Sequence, residues 1–471
     1  MADAAATFVG RERELQVLED AWSGPRGAFI PVYGRRRVGK SALLLEWLGK
    51  KPGIYQVGKV APAELQIREL LEAAAQALKQ PLLATAPARG WKEAFELIEQ
   101  SWTKAERLVL VLDEFQWMVS ASPELPSVLQ ELWDRRWKTS KRLMLVLCGS
   151  FIGFMEREVL GSKSPLFGRR TAQIHLKPFG WGEAARFHPG YSLQARAEAY
   201  FICGGIPQYL ETFDSSRSIR ANIEANLLHE FAPLYREPEF LLREELREVE
   251  KYHAVLYAIA EGHYTQKEIA EATALPLRSL HYWLEQLVQL GYVARRHPLT
   301  GGPVKQRAVR FVLEDPLLRF WFRFVFPHRS AVARLGPSAA YLELIKPQLE
   351  GYFGLCFERL CREALPWLWA SEKVTADAQV GEYWDKAVQL DVVGARSDGV
   401  IDLGECKWGA VGSPKALRDE LERKVLAYPN PKNATLVRRL FVREARSPRD
   451  DGAKWYDLES LYALAQRAAA R

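Results

Sequence analysis

Short apolar runs alternate with amphipathic stretches along residues 1–180. The apolar runs have the length of strands and few polar interruptions, which is typical of strands buried on both faces. The candidate strands are Ala28–Tyr33, Gly53–Val57 and residues 107–113, 142–150 and 171–176. Between them, residues 63–80 and 90–104 repeat apolar positions at helical spacing. Strands alternating with helices predict an α/β core with a parallel sheet wrapped by helices.

Residues 181–226 are mostly helical in spacing, and the pattern changes from about Tyr252. Thr265 and Glu268 form a capping-box pattern that opens a short helix, and a leucine stripe predicts a second helix over residues 278–290. Two β-type runs, residues 292–299 and 305–313, then flank the turn residues 300–303. Helix, turn, helix and hairpin predict a winged helix-turn-helix.

The chain is long enough for several domains, each with its own apolar core. Its 471 residues are divided by pattern into an α/β core (1–180), a helical lid (181–250), a winged helix (251–330) and a second α/β domain (331–471). The aromatic-rich residues 315–325 are predicted to pack between domains.

Composition adds limits on location and partners. A net charge of +7 and a pI of about 9.0 permit a polyanionic partner without requiring one. Five cysteines without a C-x-x-C pair predict free thiols in a reducing compartment. The N-terminus lacks a secretory pattern and no apolar run is long enough to cross a bilayer. We therefore expect a cytoplasmic protein with no membrane partner.

The strongest chemical motif follows the first candidate strand. Residues 34–41 read G-x-x-x-x-G-K-S, and helical spacing begins at Ser41. In this pattern, backbone N–H groups cradle a triphosphate, Lys40 reaches the β- and γ-phosphates and Ser41 holds Mg²⁺. ATP and Mg²⁺ are the expected cofactors. The predicted nucleotide contacts are Gly34, Arg35, Arg36, Arg37, Val38, Gly39, Lys40, Ser41 and Ala42.

A second element supports a nucleotide site. The strand at residues 107–113 ends in Asp113 and Glu114, which would hold Mg²⁺ and orient the attacking water, respectively. Ser150, after the next strand, is a candidate for touching the γ-phosphate, and Arg169 for stabilising charge on the transferred phosphoryl group. Simpler interpretations stay open: acids that cap a turn, a strand-end serine, and a solvated basic pair of Arg169 and Arg170.

Taken together, these motifs resemble the archaeal-type ATPase family, AAA+-related proteins close to the signal-transduction (STAND) NTPases. The resemblance rests on Phe8–Leu15, Tyr33–Ser41, Leu112–Gln116, Leu166–Arg169, Gly204–Pro207 and Asp315–Val325. It implies that Gly10 and Arg11 lie near the adenine, that Ser150 is sensor 1 and that Arg169 is the arginine finger, with Arg170 beside it. It also implies a lid element at residues 205–207, whose Pro207 packs against adenine.

A different chemistry is indicated near the C-terminus. Two β-type runs, residues 388–393 and 400–408, flank a predicted turn at 394–399. Glu405 and Lys407 share one face because side chains alternate along a strand, and Asp391 lies on the neighbouring run. Two carboxylates that bind a divalent ion, beside a lysine, suit phosphodiester cleavage. A helix over residues 357–363 could supply a third acid; an edge hairpin with a solvated Glu–Lys pair is the alternative.

Relatives of this kind often end in a domain resembling PD-(D/E)XK nucleases, and Asp391, Glu405 and Lys407 match that pattern. The resemblance implies that Glu358 is the third acid. Gln389 departs from it, since relatives often carry glutamate there. The resemblance implies an ATP-regulated enzyme that binds and processes DNA, with Mg²⁺ or Mn²⁺ at the second site and possible homo-oligomers. The alternative is a STAND-type signalling or defence switch that responds to a protein or an invader signal. The winged helix would contact DNA or serve only as a clasp.

Overall fold

The computed structural model describes residues 8–49, 51–300, 309–444 and 452–469. Two compact units divide the chain, Met1–Pro178 and Phe179–Arg471. Among the described residues, no helix is long and apolar enough to cross a membrane. The predicted domain limits at residues 180, 250 and 330 stay predictions.

The first unit is built on a five-stranded sheet in the order β2-β3-β4-β1-β5. The strands are β1 (Ala28–Tyr33), β2 (Gly53–Val57), β3 (Leu108–Asp113), β4 (Leu143–Gly149) and β5 (Ile174–His175). Every pairing is parallel, so the predicted parallel α/β core is confirmed. β1, β3 and β4 are buried at every position, which explains their unbroken apolar sequence.

Helices cover this sheet and bury its apolar faces. They are α1 (Glu12–Ser23), α2 (Lys40–Leu48), α3 (Ala63–Leu78), α4 (Trp91–Ser101), α5 (Phe115–Ala121), α6 (Leu125–Leu132) and α7 (Ile152–Phe154). One cluster of buried side chains joins α3 and α4 to the sheet and includes Leu70, Phe95 and Leu110. The carboxyl ends of β1, β3 and β4 carry the loops in which the predicted site residues lie.

The second unit begins with short helices, α8 (Trp181–Ala184), α9 (Leu193–Cys203), α10 (Pro207–Leu210), α11 (Ile219–Ile223) and α12 (Glu237–Glu245). Between α9 and α10, Gly205 lies against the backbone of Phe179, where an added Cβ would come within 1.8 Å of the carbonyl oxygen. Only glycine fits this approach, which accounts for Gly205 in the predicted lid element.

Three helices and a hairpin follow: α13 (Val249–Ala260), α14 (Gln266–Thr273), α15 (Leu277–Gln289), β6 (Val293–Arg296) and β7 (Arg310–Leu313). The capping box of Thr265 and Glu268 is present, and β6 pairs antiparallel with β7. The predicted helices and hairpin are therefore confirmed as elements. Part of the predicted turn and of the second β-type run lies outside the described residues. This part includes Gly301, Gly302, Pro303, Lys305 and Arg307.

The aromatic segment at residues 315–325 is buried inside the second unit. It forms α16 (Pro316–Phe320) and a turn of π-helix, Trp321–Val325. The rings of Phe320 and Phe324 pack against Tyr352. Short helices α17 (Arg329–Leu335) and α18 (Pro337–Ala340) lead from it to α19 (Lys346–Ser371).

The C-terminal part is a second five-stranded sheet in the order β12-β11-β10-β9-β8. Its elements are β8 (Ala378–Trp384), β9 (Gln389–Arg396), β10 (Val400–Lys407), α20 (Pro414–Ala427), β11 (Thr435–Val442), β12 (Lys454–Tyr456) and α21 (Leu458–Ala469). β8, β9 and β10 are antiparallel, whereas β10, β11 and β12 are parallel. An apolar core that includes Leu390, Leu403 and Leu421 lies between this sheet and α20.

The predicted turn at residues 394–399 is wrong in its first half. β9 continues through Arg396, and Gly394 pairs with Asp402 inside the ladder. A Cβ on Gly394 would lie 2.5 Å from the ring of Trp369. The glycine thus makes room for α19 on this face of the sheet and does not mark the turn.

Candidate functional site

The loop between β1 and α2 holds the predicted phosphate-binding residues. Gly34 lies so close to the end of β5 that a Cβ would be 2.2 Å from the carbonyl oxygen of Leu176. Gly39, with φ at 89°, is the N-cap of α2, a conformation that favours glycine. Lys40 is 6% exposed and its ammonium donates to the carbonyls of Gly34 (3.0 Å) and Arg35 (2.9 Å). Burial lowers the pKa of Lys40.

Asp113 lies beside Ser41, the other residue of this site that is predicted to hold Mg²⁺. The Ser41 hydroxyl donates to Asp113 Oδ2 at 2.7 Å, and the hydroxyl of Tyr55 donates to the same oxygen at 2.5 Å. Tyr55 comes from the neighbouring strand β2, which pairs with β3. Burial, and then the charge of Asp113, raise the pKa of Tyr55. Tyr55 was missed from the sequence because it lies inside an ordinary strand pattern.

Glu114 is held by two side chains. Its backbone adopts the left-handed conformation, with φ at 49°. The Ser150 hydroxyl donates to Glu114 Oε2 at 2.7 Å, and Gln116 donates to the same oxygen. Gln116 Oε1 is buried and has no hydrogen-bond partner among the described residues. The parallel pairing of β3 with β4 brings Glu114 and Ser150 together, whereas Gln116 was not predicted.

Arg169, the predicted arginine finger, is bound by an acid of its own unit. Its guanidinium donates to both carboxylate oxygens of Asp134, at 3.0 Å and 2.7 Å. This pair raises the pKa of Arg169 and lowers that of Asp134. Arg170, next in the chain, is exposed. Arg169 therefore has a bidentate partner that the sequence did not reveal.

Gly10 and Arg11 precede α1, and both have positive φ. Arg11 is 6% exposed and donates to the carbonyls of Val38 (3.2 Å) and Lys177 (2.8 Å). It thus ties the phosphate-binding loop to the segment after β5. Pro207 begins α10 in the other unit.

In the C-terminal sheet, Asp391 of β9 and Glu405 of β10 lie on neighbouring antiparallel strands. Asp391 Oδ2 accepts from the N–H of Cys406 at 3.0 Å. Glu405 Oε1 accepts from Lys424 of α20 at 2.5 Å, whereas Glu405 Oε2 is buried without a hydrogen-bond partner among the described residues. Burial and then Asp391 raise the pKa of Glu405 to about 8.

Glu358 approaches the same acids from α19. Burial and then the charge of Asp391 raise its pKa to about 8. Arg362, one turn along α19, lies 3.9 Å from Glu358 and 3.7 Å from Glu382 of β8. We call Glu358, Glu382, Asp391 and Glu405 the acidic cluster. The sequence predicted every member but Glu382.

The lysine that contacts the acidic cluster is Lys424, whereas the sequence predicted Lys407. Lys407 is exposed at the end of β10, and within the described ranges it forms no ion pair with the acidic cluster. Lys424 forms that contact from α20. It was missed because α20 has an ordinary helical pattern and lies seventeen positions beyond Lys407.

Within the described part of the chain, no three His, Cys, Asp or Glu side chains are arranged to hold a metal ion. Arg362 lies between Glu358 and Glu382, and Lys424 contacts Glu405, so the predicted trio of Glu358, Asp391 and Glu405 does not meet as a three-carboxylate site. The unpartnered Glu405 Oε2 and the oxygen-only donors still fit a hard divalent cation. Metal binding here stays a prediction.

Comparison with known proteins identifies an ATPase domain in the N-terminal part of the chain. Residues 8–213 match a family model described as an ATPase domain predominantly from Archaea, and the match runs from the first unit into the start of the second. Together with the parallel sheet and the glycine-rich loop, this match shows that the chain carries a P-loop ATPase domain, which uses nucleotide and usually Mg²⁺. Residues 321–419 match a family described as archaeal and bacterial proteins of unknown function.

Two further kinds of relative are similar over most of the chain. An uncharacterized protein of Methanocaldococcus jannaschii is 28% identical over 420 residues, which cover 89% of this chain and 90% of that protein. A Walker-type ATPase of Pyrococcus abyssi has a TM-score of 0.49 and 21% identity, over 67% of this chain and 96% of that chain. The ORC2 protein of Aeropyrum pernix has a TM-score of 0.44 and 15% identity, over 71% and 96%.

Proposed function

We propose that this protein is a nucleotide-regulated enzyme that processes DNA, with ATP and Mg²⁺ in the first unit and a metal-dependent phosphodiester site at the acidic cluster. The observation that carries the second half is the buried pair of carboxylates, Asp391 and Glu405, on neighbouring strands. Glu405 Oε2 has no hydrogen-bond partner among the described residues, and the charge of Asp391 raises the pKa of Glu405 and of Glu358 on α19. Two buried carboxylates held in this way suit a divalent cation and an anionic substrate.

The C-terminal sheet with α19 across it supports a PD-(D/E)XK-like fold, and α13–α15 with the β6–β7 hairpin support a winged helix. All five cysteines are free, which agrees with a reducing cytoplasm. The PD-(D/E)XK-like fold and the winged helix are both part of this proposal.

At the ATP site, each group has a role that follows from its position. Lys40 would transfer its two hydrogen bonds from loop carbonyls to phosphate oxygens, and Ser41 and Asp113 would hold Mg²⁺. Glu114, oriented by Ser150 and Gln116, would position the attacking water. Arg169 reaches a phosphate only if its pair with Asp134 opens. Arg170, exposed beside it, has no such restriction.

At the acidic cluster, Asp391 and Glu405 would hold Mg²⁺ or Mn²⁺. A divalent ion supplies Lewis-acid activation of the phosphodiester and of water. Lys424, now on Glu405, would move to the phosphate once the carboxylate is taken up, and its positive charge would stabilise the pentavalent state. The surrounding strands bury these charges, and the lower dielectric constant there strengthens the electrostatic interaction between them.

Plasmid cleavage tests the proposal. Wild type is incubated with supercoiled DNA, Mg²⁺ or Mn²⁺, and ATP, ADP or no nucleotide. We expect Glu405→Gln and Asp391→Asn to lower the cleavage rate by more than about tenfold. Glu420→Gln, an exposed acid that also faces Lys424, is the matched control and should cut as wild type does. Lys40→Ala should remove the nucleotide dependence.

Intact plasmid under every condition would end the nuclease half of the proposal. So would equal cleavage by wild type, Glu405→Gln and Asp391→Asn. ATP hydrolysis that persists in Lys40→Ala would count against the first site.

A second candidate function is favoured by the ion pairs of the hairpin. Arg295 pairs with Glu285 of α15, Arg296 pairs with Glu314, and Arg310 stacks on Trp384. Arginines committed in this way hold the hairpin in place and are less available to DNA phosphates. This supports a STAND-type switch in which the winged helix is a clasp, the trigger is a protein or an invader signal, and the C-terminal domain is a scaffold or effector.

A further inference from the structure

The chain that leaves β6 joins the edge of the C-terminal sheet. Pro298 forms a parallel bridge with Glu382 of β8. The N–H of Leu299 donates to the carbonyl of Glu382 at 2.8 Å, and the hydroxyl of Tyr428 donates to the carbonyl of Leu299 at 3.0 Å. The Leu299 side chain packs against the apolar core between the sheet and α20. The hairpin is thus fastened to β8 by main chain and side chain together.

The point of attachment is an irregular position. The pairing of β8 with β9 shifts register between Gly381 and Tyr383, so that Glu382 alone lies opposite two residues of β9, Asp391 and Val392, which form a β-bulge. At a bulge the regular ladder is locally disrupted, and the direction of the residue opposite it depends on what else holds that residue. Here Pro298 and Leu299 take up the outer edge at Glu382.

Opposite the bulge, the Glu382 carboxylate faces Arg362. The Arg362 guanidinium lies 3.7 Å from Glu382 and 3.9 Å from Glu358, and it donates to the carbonyl of Asp391 at 2.6 Å. Arg362 is 13% exposed in its side chain. A change in the direction of Glu382 would therefore alter how Arg362 sits between Glu358 and Asp391.

A second contact fastens the other strand of the hairpin to α19. Glu314, just after β7, accepts from Arg359 of α19 through its carbonyl at 2.5 Å and through its carboxylate. Arg296 of β6 donates to the same carboxylate at 2.9 Å. The hairpin thus contacts both elements from which Glu382 and Glu358 approach Arg362.

We propose that Leu299 is a positioning residue for the acidic cluster and that it acts through Glu382. The proposal rests on the proposed function of that cluster as a phosphodiester site. Residues that orient the ligating side chains typically change metal affinity or activity by about 10- to 100-fold when they are lost. Leu299 belongs to the segment after β6, which contributes no residue to the proposed phosphodiester site.

The first test measures amide hydrogen exchange in the full chain. We expect Leu299→Ala to speed exchange in peptides that cover β8, while Leu299→Met stays close to wild type. Leu436→Ala is the matched control, because Leu436 is also half-buried and packs against the same apolar core from β11. If Leu299→Ala protects β8 as well as Leu436→Ala does, the attachment does not hold the bulge and the proposal is wrong.

The second test measures Mn²⁺ binding by calorimetry and plasmid cleavage. We expect Leu299→Ala and Glu382→Gln each to weaken Mn²⁺ binding and to lower cleavage by about tenfold. The double variant should lose little more than either single variant, because both act through one contact. Leu436→Ala should stay within about twofold.

If the two substitutions reduce Mn²⁺ binding and cleavage independently, their effects multiply in the double variant of Leu299→Ala and Glu382→Gln. That result would refute the proposal that Leu299 acts through Glu382. Wild type that neither binds Mn²⁺ nor cuts DNA would overturn the proposed function, and with it the role of Leu299 at that site. In that case hydrogen exchange still shows whether Leu299 holds β8.

Discussion

Asp113 and Glu114 are adjacent in the chain but differ in their surroundings. Asp113 takes hydroxyl hydrogen bonds from Ser41 and Tyr55 on one oxygen, which leaves its other oxygen to the N–H of Glu114. Glu114 is directed to Ser150 and Gln116 instead. The backbone at Glu114 is left-handed, and the two neighbouring carboxylates accept hydrogen bonds from different side chains.

Tyr55→Phe is predicted to raise the Mg²⁺ concentration that ATP hydrolysis requires while leaving the fold intact. The change keeps the ring and removes only the hydroxyl that orients Asp113. We expect the Mg²⁺ concentration for half-maximal activity to rise about tenfold and the unfolding free energy to fall by about 1 kcal/mol. ATPase rates across a Mg²⁺ titration give the first quantity and urea unfolding the second.

Tyr257→Phe, which removes a tyrosine hydroxyl in the other unit, is the control and should leave the Mg²⁺ dependence unchanged. An unaltered Mg²⁺ curve for Tyr55→Phe would mean that Ser41 alone orients Asp113.

The sequence predicted the residues that belong to motifs and missed those that reach them from elsewhere. Lys40, Asp113, Asp391 and Glu405 follow from spacing, because one loop or one strand end carries each of them. Tyr55, Gln116, Glu382 and Lys424 reach the sites through strand pairing, a bulge or helix packing. Those relationships are set in three dimensions and leave no local pattern.

Among the elements, α15 and the β6–β7 hairpin neutralise part of their charge by forming an ion pair with each other. Arg295 is paired with Glu285 across the two elements, which neutralises the acid on the exposed face of α15. Arg278, at the start of α15, is exposed and forms no ion pair among the described residues. If α15 contacts DNA, its free positive charge is at this end.

Arg278→Ala is predicted to weaken DNA binding uniformly across sequences and to reduce the slope of log affinity against log salt by about one. Arg295→Ala is the matched control, with a smaller effect because its charge is already paired with Glu285. Fluorescence anisotropy with labelled duplex at several salt concentrations measures both. A protein that binds no DNA at any salt concentration, and whose particle mass changes with ATP, would favour the STAND-type switch. Lys40→Ala should then abolish that change of mass.

Element types were easier to predict than their ends. β1 and β2 have the predicted limits. β5 shrinks to two residues, and β9 runs through a glycine that the sequence presents as a turn. At Gly394 the deciding factor is the ring of Trp369 from α19, a contact between residues 25 positions apart.

At the scale of the whole molecule, each unit has its own apolar core, and the second is also held by a buried ionic network. Arg439 of β11 is 1% exposed and binds Asp402 of β10 at 2.6 Å and Glu372, at the end of α19, at 2.8 Å. Lys454 and Tyr456 contact the same glutamate. The network joins α19 to three strands through one guanidinium. Breaking such a buried pair is costly because it leaves a charge uncompensated.

Glu372 gives this network a pH dependence. Burial alone would raise its pKa, but Arg439 and Lys454 outweigh burial and lower it to about 2 from an ordinary 4.5. Its stabilising contribution is therefore complete above about pH 4.5 and is lost as pH falls through about 2. We expect Glu372→Gln to be less stable than wild type by about 1–3 kcal/mol at pH 6, with the difference shrinking toward pH 3.

Urea unfolding midpoints of both proteins at pH 6, 4 and 3 measure this difference. Glu350→Gln, at a carboxylate that is 65% exposed, is the control and should match wild type at each pH. A gap that grows on acidification would contradict the sign.

The attachment of Pro298 and Leu299 to β8 also bears on self-association. The open edge of a sheet is a template on which another chain can add a strand. On β8 the carbonyl of Glu382 is already occupied by Leu299, and Pro298 has no N–H to offer an incoming strand. The opposite edge, β12, is only three residues long. The C-terminal sheet is thereby guarded against aggregation, and we expect any homo-oligomer to assemble through side-chain surfaces.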